Sequence, residues 1–152
     1  MKKLKLSLVI CLTVCFLFLL AACGGESNKQ ITDGYYVLDT SNSSVTIDGV
    51  TRKLPEHLAW AGMTLVEYQN SIGSVSILIF ANYFDIYSGG VAMAGGTFTM
   101  NGDNIICSSS VVDALAFLKI QDLKNKNGNI SLCMVYGAYK HNHIYVKTND
   151  IP

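Results

Sequence analysis

Thr97-Phe98-Thr99-Met100-Asn101-Gly102-Asp103-Asn104-Ile105-Ile106-Cys107 is the stretch that decides the fold. Two β-prone runs flank an Asn-Gly pair, the residues that most readily accept the positive φ of a tight hairpin turn. The same grammar recurs on both sides. Asp48-Gly49 separates Val45-Thr46-Ile47 from Val50-Thr51-Arg52, and Asn127-Gly128 precedes the run Ile130 to Tyr136. Tyr35 to Leu38, Ser74 to Phe80 and Ile144 to Lys147 are further strand candidates. The expected class is therefore mainly β, an antiparallel up-and-down sheet or small barrel formed by residues 34–152 as one domain.

One segment departs from this pattern. Pro55 suits a first helical turn, and Leu54, Leu58, Ala61, Leu65 and Tyr68 recur at helical spacing, with Gly62 dividing them. Thr64 and Glu67 then form a capping box for a second short turn. From Ser110 to Asn125 the signals conflict: Ser110 with Asp113 suits a helix start, whereas Leu118-Lys119-Ile120-Gln121 alternates like a strand. The second half is assigned to strand.

The N-terminus has a different chemistry. Lys2, Lys3 and Lys5 precede an uncharged run from Leu6 to Ala22, the basic and apolar regions of an export signal helix. If that signal is removed, three of the 11 basic residues go with it. The mature chain then sets eight against 11 acidic residues, a net charge of about −3. No basic patch remains to release counterions from phosphates, so nucleic acid is not an expected partner.

Leu20-Ala21-Ala22-Cys23-Gly24-Gly25 closes the apolar run, and here the chain resembles the lipobox of bacterial lipoproteins. The resemblance implies processing by the lipoprotein machinery: a diacylglyceryl group on the Cys23 sulfur, then cleavage between Ala22 and Cys23. Residues 1–22 would be the signal peptide, and the protein would be lipid-anchored to the cell membrane on its extracytoplasmic face. Two acyl chains suffice for stable attachment, at about 0.8 kcal/mol per buried methylene. The alternative is an uncleaved helix, since about 17 apolar residues barely cross a bilayer core. Residues 23–33 are polar and aperiodic and read as a flexible tether.

The β domain in turn resembles the small lipocalin-like lipoproteins of bacteria. The resemblance is carried by Asp33 to Leu38, Ala61 to Tyr68, and Gly96 to Ile105. It implies an anchored barrel or strongly curved sheet.

Residues with chemical potential are few. Gly89 to Thr97 has glycines at P-loop spacing, but Gly96 stands where the phosphate-binding lysine belongs, so a loop or bulge is expected there. His141 and His143 would face one side of a strand, yet two ligands do not make a metal site, and Lys140 to His143 reads as a polar hairpin connection. Neither a metal site nor a cofactor is expected. Cys107 and Cys133 outlast the signal. If their strands are neighbours they form a disulfide closing about 26 residues; otherwise they are two buried thiols.

No nucleophile elbow, Cys-His pair or close carboxylate pair is present, and Ser108-Ser109-Ser110 reads as turn chemistry. The expectation is a non-catalytic domain that binds a small apolar ligand or an envelope component. An interaction module with a filled core and no ligand cavity is the alternative. An enzymatic reading would require His57, His141, His143 and an acid such as Asp85 to cluster.

Overall fold

The computed structural model describes residues 29–72 and 75–149. The signal segment and Cys23 lie outside them. Among the described residues are ten strands: β1 (Gly34–Leu38), β2 (Ser44–Ile47), β3 (Val50–Lys53), β4 (Val75–Phe80), β5 (Tyr83–Ser88), β6 (Val91–Asn101), β7 (Asn104–Cys107), β8 (Ile120–Lys126), β9 (Asn129–Tyr136) and β10 (Tyr139–Thr148). Three helices, α1 (Leu54–Ala61), α2 (Leu65–Ile72) and α3 (Ser109–Phe117), complete the chain. Every pairing is antiparallel, in the order β1-β4-β5-β6-β7-β8-β9-β10, and β10 pairs back onto β1. The domain is thus a closed eight-stranded up-and-down barrel. Closure removes the unpaired edges that an open sheet would expose.

The turns follow from local sequence. At Asp48-Gly49 both residues have positive φ (49° and 79°), as do Asn127-Gly128 (56° and 86°), the backbone that two-residue hairpins need. Between β1 and β2 the chain bulges over Asp39 to Ser43, because both strands run along β10 and the loop must be absorbed beside it. Hydrogen bonds lock that bulge. The Asp39 carboxylate accepts from the Ser41 and Asn42 N–H groups at 3.0 and 3.2 Å and from Asn42 Nδ2 at 2.7 Å. The fully buried Ser43 hydroxyl donates to the Asp39 carbonyl at 2.6 Å and accepts the Ile144 N–H at 3.0 Å. Past the bulge, β2 leaves the ring and pairs with β3.

The two helices after β3 form where capping and spacing place them. Gly62 ends α1 in the left-handed region (φ 64°). At the head of α2, the Thr64 N–H donates to Glu67 Oε2 at 2.8 Å while Thr64 Oγ1 accepts the Glu67 N–H at 3.2 Å. The capping box holds Glu67 below its usual carboxylate range, through hydrogen bonds from the Thr64 backbone and then its side chain. The helical stretch is divided at Gly62, and the turn after it extends to a two-turn helix. A further helix, α3, takes up the first half of the ambiguous stretch from Ser110, and strand β8 takes up the second.

Alternation directs the core inward. Val75, Ile77 and Ile79 of β4, Phe84 and Ile86 of β5, Ile130, Leu132 and Met134 of β9, and Tyr36 and Tyr145 are all buried in one cluster. Each such side chain adds roughly 1.5–3 kcal/mol of hydrophobic stabilisation.

Up-and-down order also sorts the ends. The β4–β5, β6–β7 and β8–β9 turns share one end with residues 29–33 and the close of β10. The β5–β6 and β9–β10 turns, α1, α2 and α3 sit at the other. Within the stretch read as a tether, Lys29, Thr32 and Asp33 hydrogen-bond to the barrel. The Lys29 N–H donates to Asn127 Oδ1 at 3.4 Å, Asn125 Nδ2 donates to the Lys29 carbonyl at 3.0 Å, and the Tyr36 hydroxyl donates to the Thr32 carbonyl at 2.8 Å.

Candidate functional site

Lys140 to His143, expected as a polar connection, is instead the first half of β10. The strand's alternation turns Lys140 and Asn142 outward and buries His141 and His143 at 4 % and 1 % exposure. The polarity of Lys140 and Asn142 belongs to the solvent face of a strand, which is why composition alone suggests a loop. Both imidazoles meet Tyr68, which α2 carries in over the barrel end. Tyr68 Oη lies 2.7 Å from His141 Nδ1 and 2.9 Å from His143 Nε2, and Tyr145 Oη lies 3.5 Å from His143 Nδ1. His57 of α1 completes the group, its ring 6.0 Å from that of Tyr68.

These contacts form a directional chain. One phenol hydrogen can serve only one of the two imidazoles, so the other must donate to the phenol oxygen. Running one way, Tyr145 donates to His143 Nδ1, His143 Nε2–H donates to Tyr68, and Tyr68 donates to His141 Nδ1. Every member of that chain is neutral. Burial pushes His141 down to about 4 and His143 to about 3, with His57 and His141 respectively as the second causes. Burial likewise raises the Tyr68 and Tyr145 phenols. A general base works best with a pKa near the working pH, and neither buried imidazole is placed for that. Hydrogen-bonded neutral groups of this kind fix a core geometry.

His57 differs from its neighbours. It is 4 % exposed, its Nδ1 has no hydrogen-bond partner, and its pKa is lowered first by burial and then by the Arg52 charge. Arg52 lies 4.6 Å over the ring of Trp60, which is 58 % exposed. The three histidines therefore gather as the enzymatic reading required, but Asp85 does not join them. Asp85 lies on β5, facing out of the wall, where its carboxylate occupies the space a Cβ on Gly95 would need. Among the described residues no three of His, Cys, Asp or Glu are grouped closely enough to hold a metal ion.

Cys107 and Cys133 are free thiols. Cys107 is on β7 and Cys133 on β9, with β8 between them, so the condition for a disulfide between neighbouring strands is not met. Two strand spacings of about 4.8 Å exceed the Cα separation a disulfide tolerates. Burial pushes the Cys107 thiol up to about 11 and also raises Cys133. In the glycine-rich stretch only Gly89 and Gly90 form a turn; β6 begins at Val91, and a bulge interrupts its pairing with β5 at Ile86/Tyr87.

Clefts open at the mouth and in the wall of the barrel. One of about 350 Å³ is lined by Ile31, Phe98, Met100 and Asn125 at the end carrying residues 29–33. Another of about 340 Å³ lies where β7 and β8 part above their single paired position, Asn104 and Lys124. Inside the ring, Tyr36, Ile77, Ile79, Phe84, Ile86, Ile130, Leu132, Met134 and Tyr145 each keep at most 1 % exposure. Among the described residues no helix is long and apolar enough to cross a membrane. Comparison of the chain with protein-family models, curated proteins and solved structures returns no match.

Proposed function

We propose that this protein is a lipid-anchored, non-catalytic interaction module of a bacterial cell envelope. Cys23 carries the anchor after the lipoprotein-processing machinery has cut beside Ala22, and the barrel stands on the extracytoplasmic face to dock another envelope protein. The observation that carries the docking reading is the packed interior. A barrel that holds a small apolar ligand deep within the ring needs a void of several hundred Å³ there, whereas inward side chains of β4, β5, β9 and β10 such as Ile77, Phe84, Leu132 and Tyr145 are packed to at most 1 % exposure.

Apolar surface is exposed instead at the helix-bearing end, where Val50, Trp60, Val66, Phe117 and Tyr139 are between 43 % and 71 % exposed. Exposed aromatic residues are frequent anchors of protein interfaces. A small apolar ligand would have to take the cleft at the mouth beside Phe98 and Met100.

Photo-crosslinking in intact cells tests the docking face. A benzophenone side chain at position 60 or 139 is expected to give a discrete protein adduct, and one at Asp122 on the wall none. No adduct at either aromatic position, or equal adducts at all three, rejects the docking face.

A further inference from the structure

Phe80 and Tyr83 close the β4–β5 hairpin as cross-strand partners and are 69 % and 52 % exposed. Alternation puts both on the outer face of the wall, since Ile79 and Phe84 on either side of them point into the core. Hairpin tips are ordinarily polar, and this one is built rigidly around two large aromatics. Ala81 adopts a left-handed φ of 54°, its N–H donates to Asp33 Oδ1 at 2.8 Å, and the Asn82 carbonyl accepts the Phe98 N–H at 2.9 Å.

The tip shares its barrel end with Lys29, where the described chain starts, and covalent geometry limits what can lie between. Six residues, Cys23 to Asn28, span at most about 20 Å. A lipid on Cys23 therefore brings this end, and not the helix-bearing end, to the bilayer surface. We infer that the tether end of the barrel seats against the membrane, with Phe80 and Tyr83 entering the lipid headgroup layer; this rests on the anchored reading of Cys23.

The side-chain chemistry fits that layer. Aromatic rings with one polar edge favour the boundary between headgroups and acyl chains. Met100, 42 % exposed near the neighbouring turn, extends the apolar rim. The charges at this end nearly balance: Lys29, Lys126 and Lys147 stand with Asp33 and Asp103. Lys124 is engaged by Asp122 at 3.1 Å. Contact through aromatics rather than net charge predicts little dependence on salt or on anionic lipid.

The orientation also leaves Trp60 far from lipid. It packs over Arg52 and His57 near the level of His141, and β10 runs roughly 20 Å from His141 to its end at Thr148. Trp60 is the one tryptophan in the chain, so the protein carries its own reporter for the distal end.

The test uses the full processed chain in phosphatidylcholine vesicles whose acyl chains are brominated close to the headgroups. Wild type reports from Trp60, and the double variant Trp60→Phe, Phe80→Trp reports from the hairpin tip. Expected is a loss of most of the emission in the variant, unchanged in high salt, with little loss in wild type. An unquenched variant whose mass shows the diacylglyceryl group on Cys23 overturns the seating and leaves the anchor intact. Strong quenching of Trp60 in wild type overturns it as well. A chain with no lipid on Cys23 overturns both.

Discussion

Replacing Tyr68 by Phe removes one oxygen and keeps the ring that packs on His57 and His141. It leaves His141 Nδ1 and His143 Nε2, which bond that oxygen at 2.7 and 2.9 Å, without their partner in a place water does not reach. A buried polar group stripped of its partner costs about 1–3 kcal/mol. Two such groups, offset by the desolvation a phenol hydroxyl no longer pays, give a net destabilisation of roughly 2–4 kcal/mol. Against a total stability of about 5–15 kcal/mol this is a large fraction. For a domain of this size it lowers Tm by roughly 8–15 °C. Urea unfolding of the full chain in mild detergent at neutral pH, followed through Trp60 emission, reads the change as a lower midpoint at unchanged slope. Tyr139→Phe, at an exposed phenol, is the control and stays within about 0.5 kcal/mol of wild type. A Tyr68→Phe variant as stable as that control would refute the claim that this hydroxyl satisfies both imidazoles.

The remaining predictions concern the same fold. His141 and His143 have folded pKa values of about 4 and about 3, below the unfolded 6.5, so the unfolded chain binds more protons in that window. Stability is therefore highest above pH 6.5 and falls as pH drops toward 3, by up to about 3 kcal/mol per unit where both sites contribute. His143→Asn flattens that slope, and a set of urea midpoints measured against pH checks it. Ser43→Ala, which strips the Ile144 N–H of its acceptor, costs about 1–3 kcal/mol in the same urea assay, more than Ser76→Ala on the outer face of β4. Both retained thiols remain free: without reductant, the unfolded protein takes up label at Cys107 and Cys133. In the folded protein at mildly alkaline pH, Cys107 reacts slowly because burial keeps it protonated.

Local chemistry is what the sequence makes legible. Asp48-Gly49 and Asn127-Gly128 specify their turns within two residues, and Thr64 with Glu67 specifies a helix start within four, so these features stand where the residues put them. Barrel closure is not encoded locally. The register of Tyr35 on Thr148 joins the two ends of the domain, and nothing near either residue announces it. The same holds for Cys107 and Cys133, whose separation depends on β8 entering between their strands.

The histidine cluster was half visible. A strand reading puts His141 and His143 on one face, but Lys140 and Asn142 give the segment the composition of a loop, and treating His as polar hides an inward-facing alternation. Imidazoles weighted as aromatic core make the alternation of a strand from Tyr139 visible. Tyr68, the residue that joins both, carries a readable signal only as a helical apolar position. Its hydroxyl finds its partners through tertiary packing of α2 on the barrel.

Native mass spectrometry of the protein extracted from its membrane tests the central claim most directly. Expected is a chain beginning at Cys23 with a diacylglyceryl group, with no small molecule bound, alone or together with a second protein. A chain that retains residues 1–22, or one that carries an apolar small molecule released only on unfolding, would contradict it.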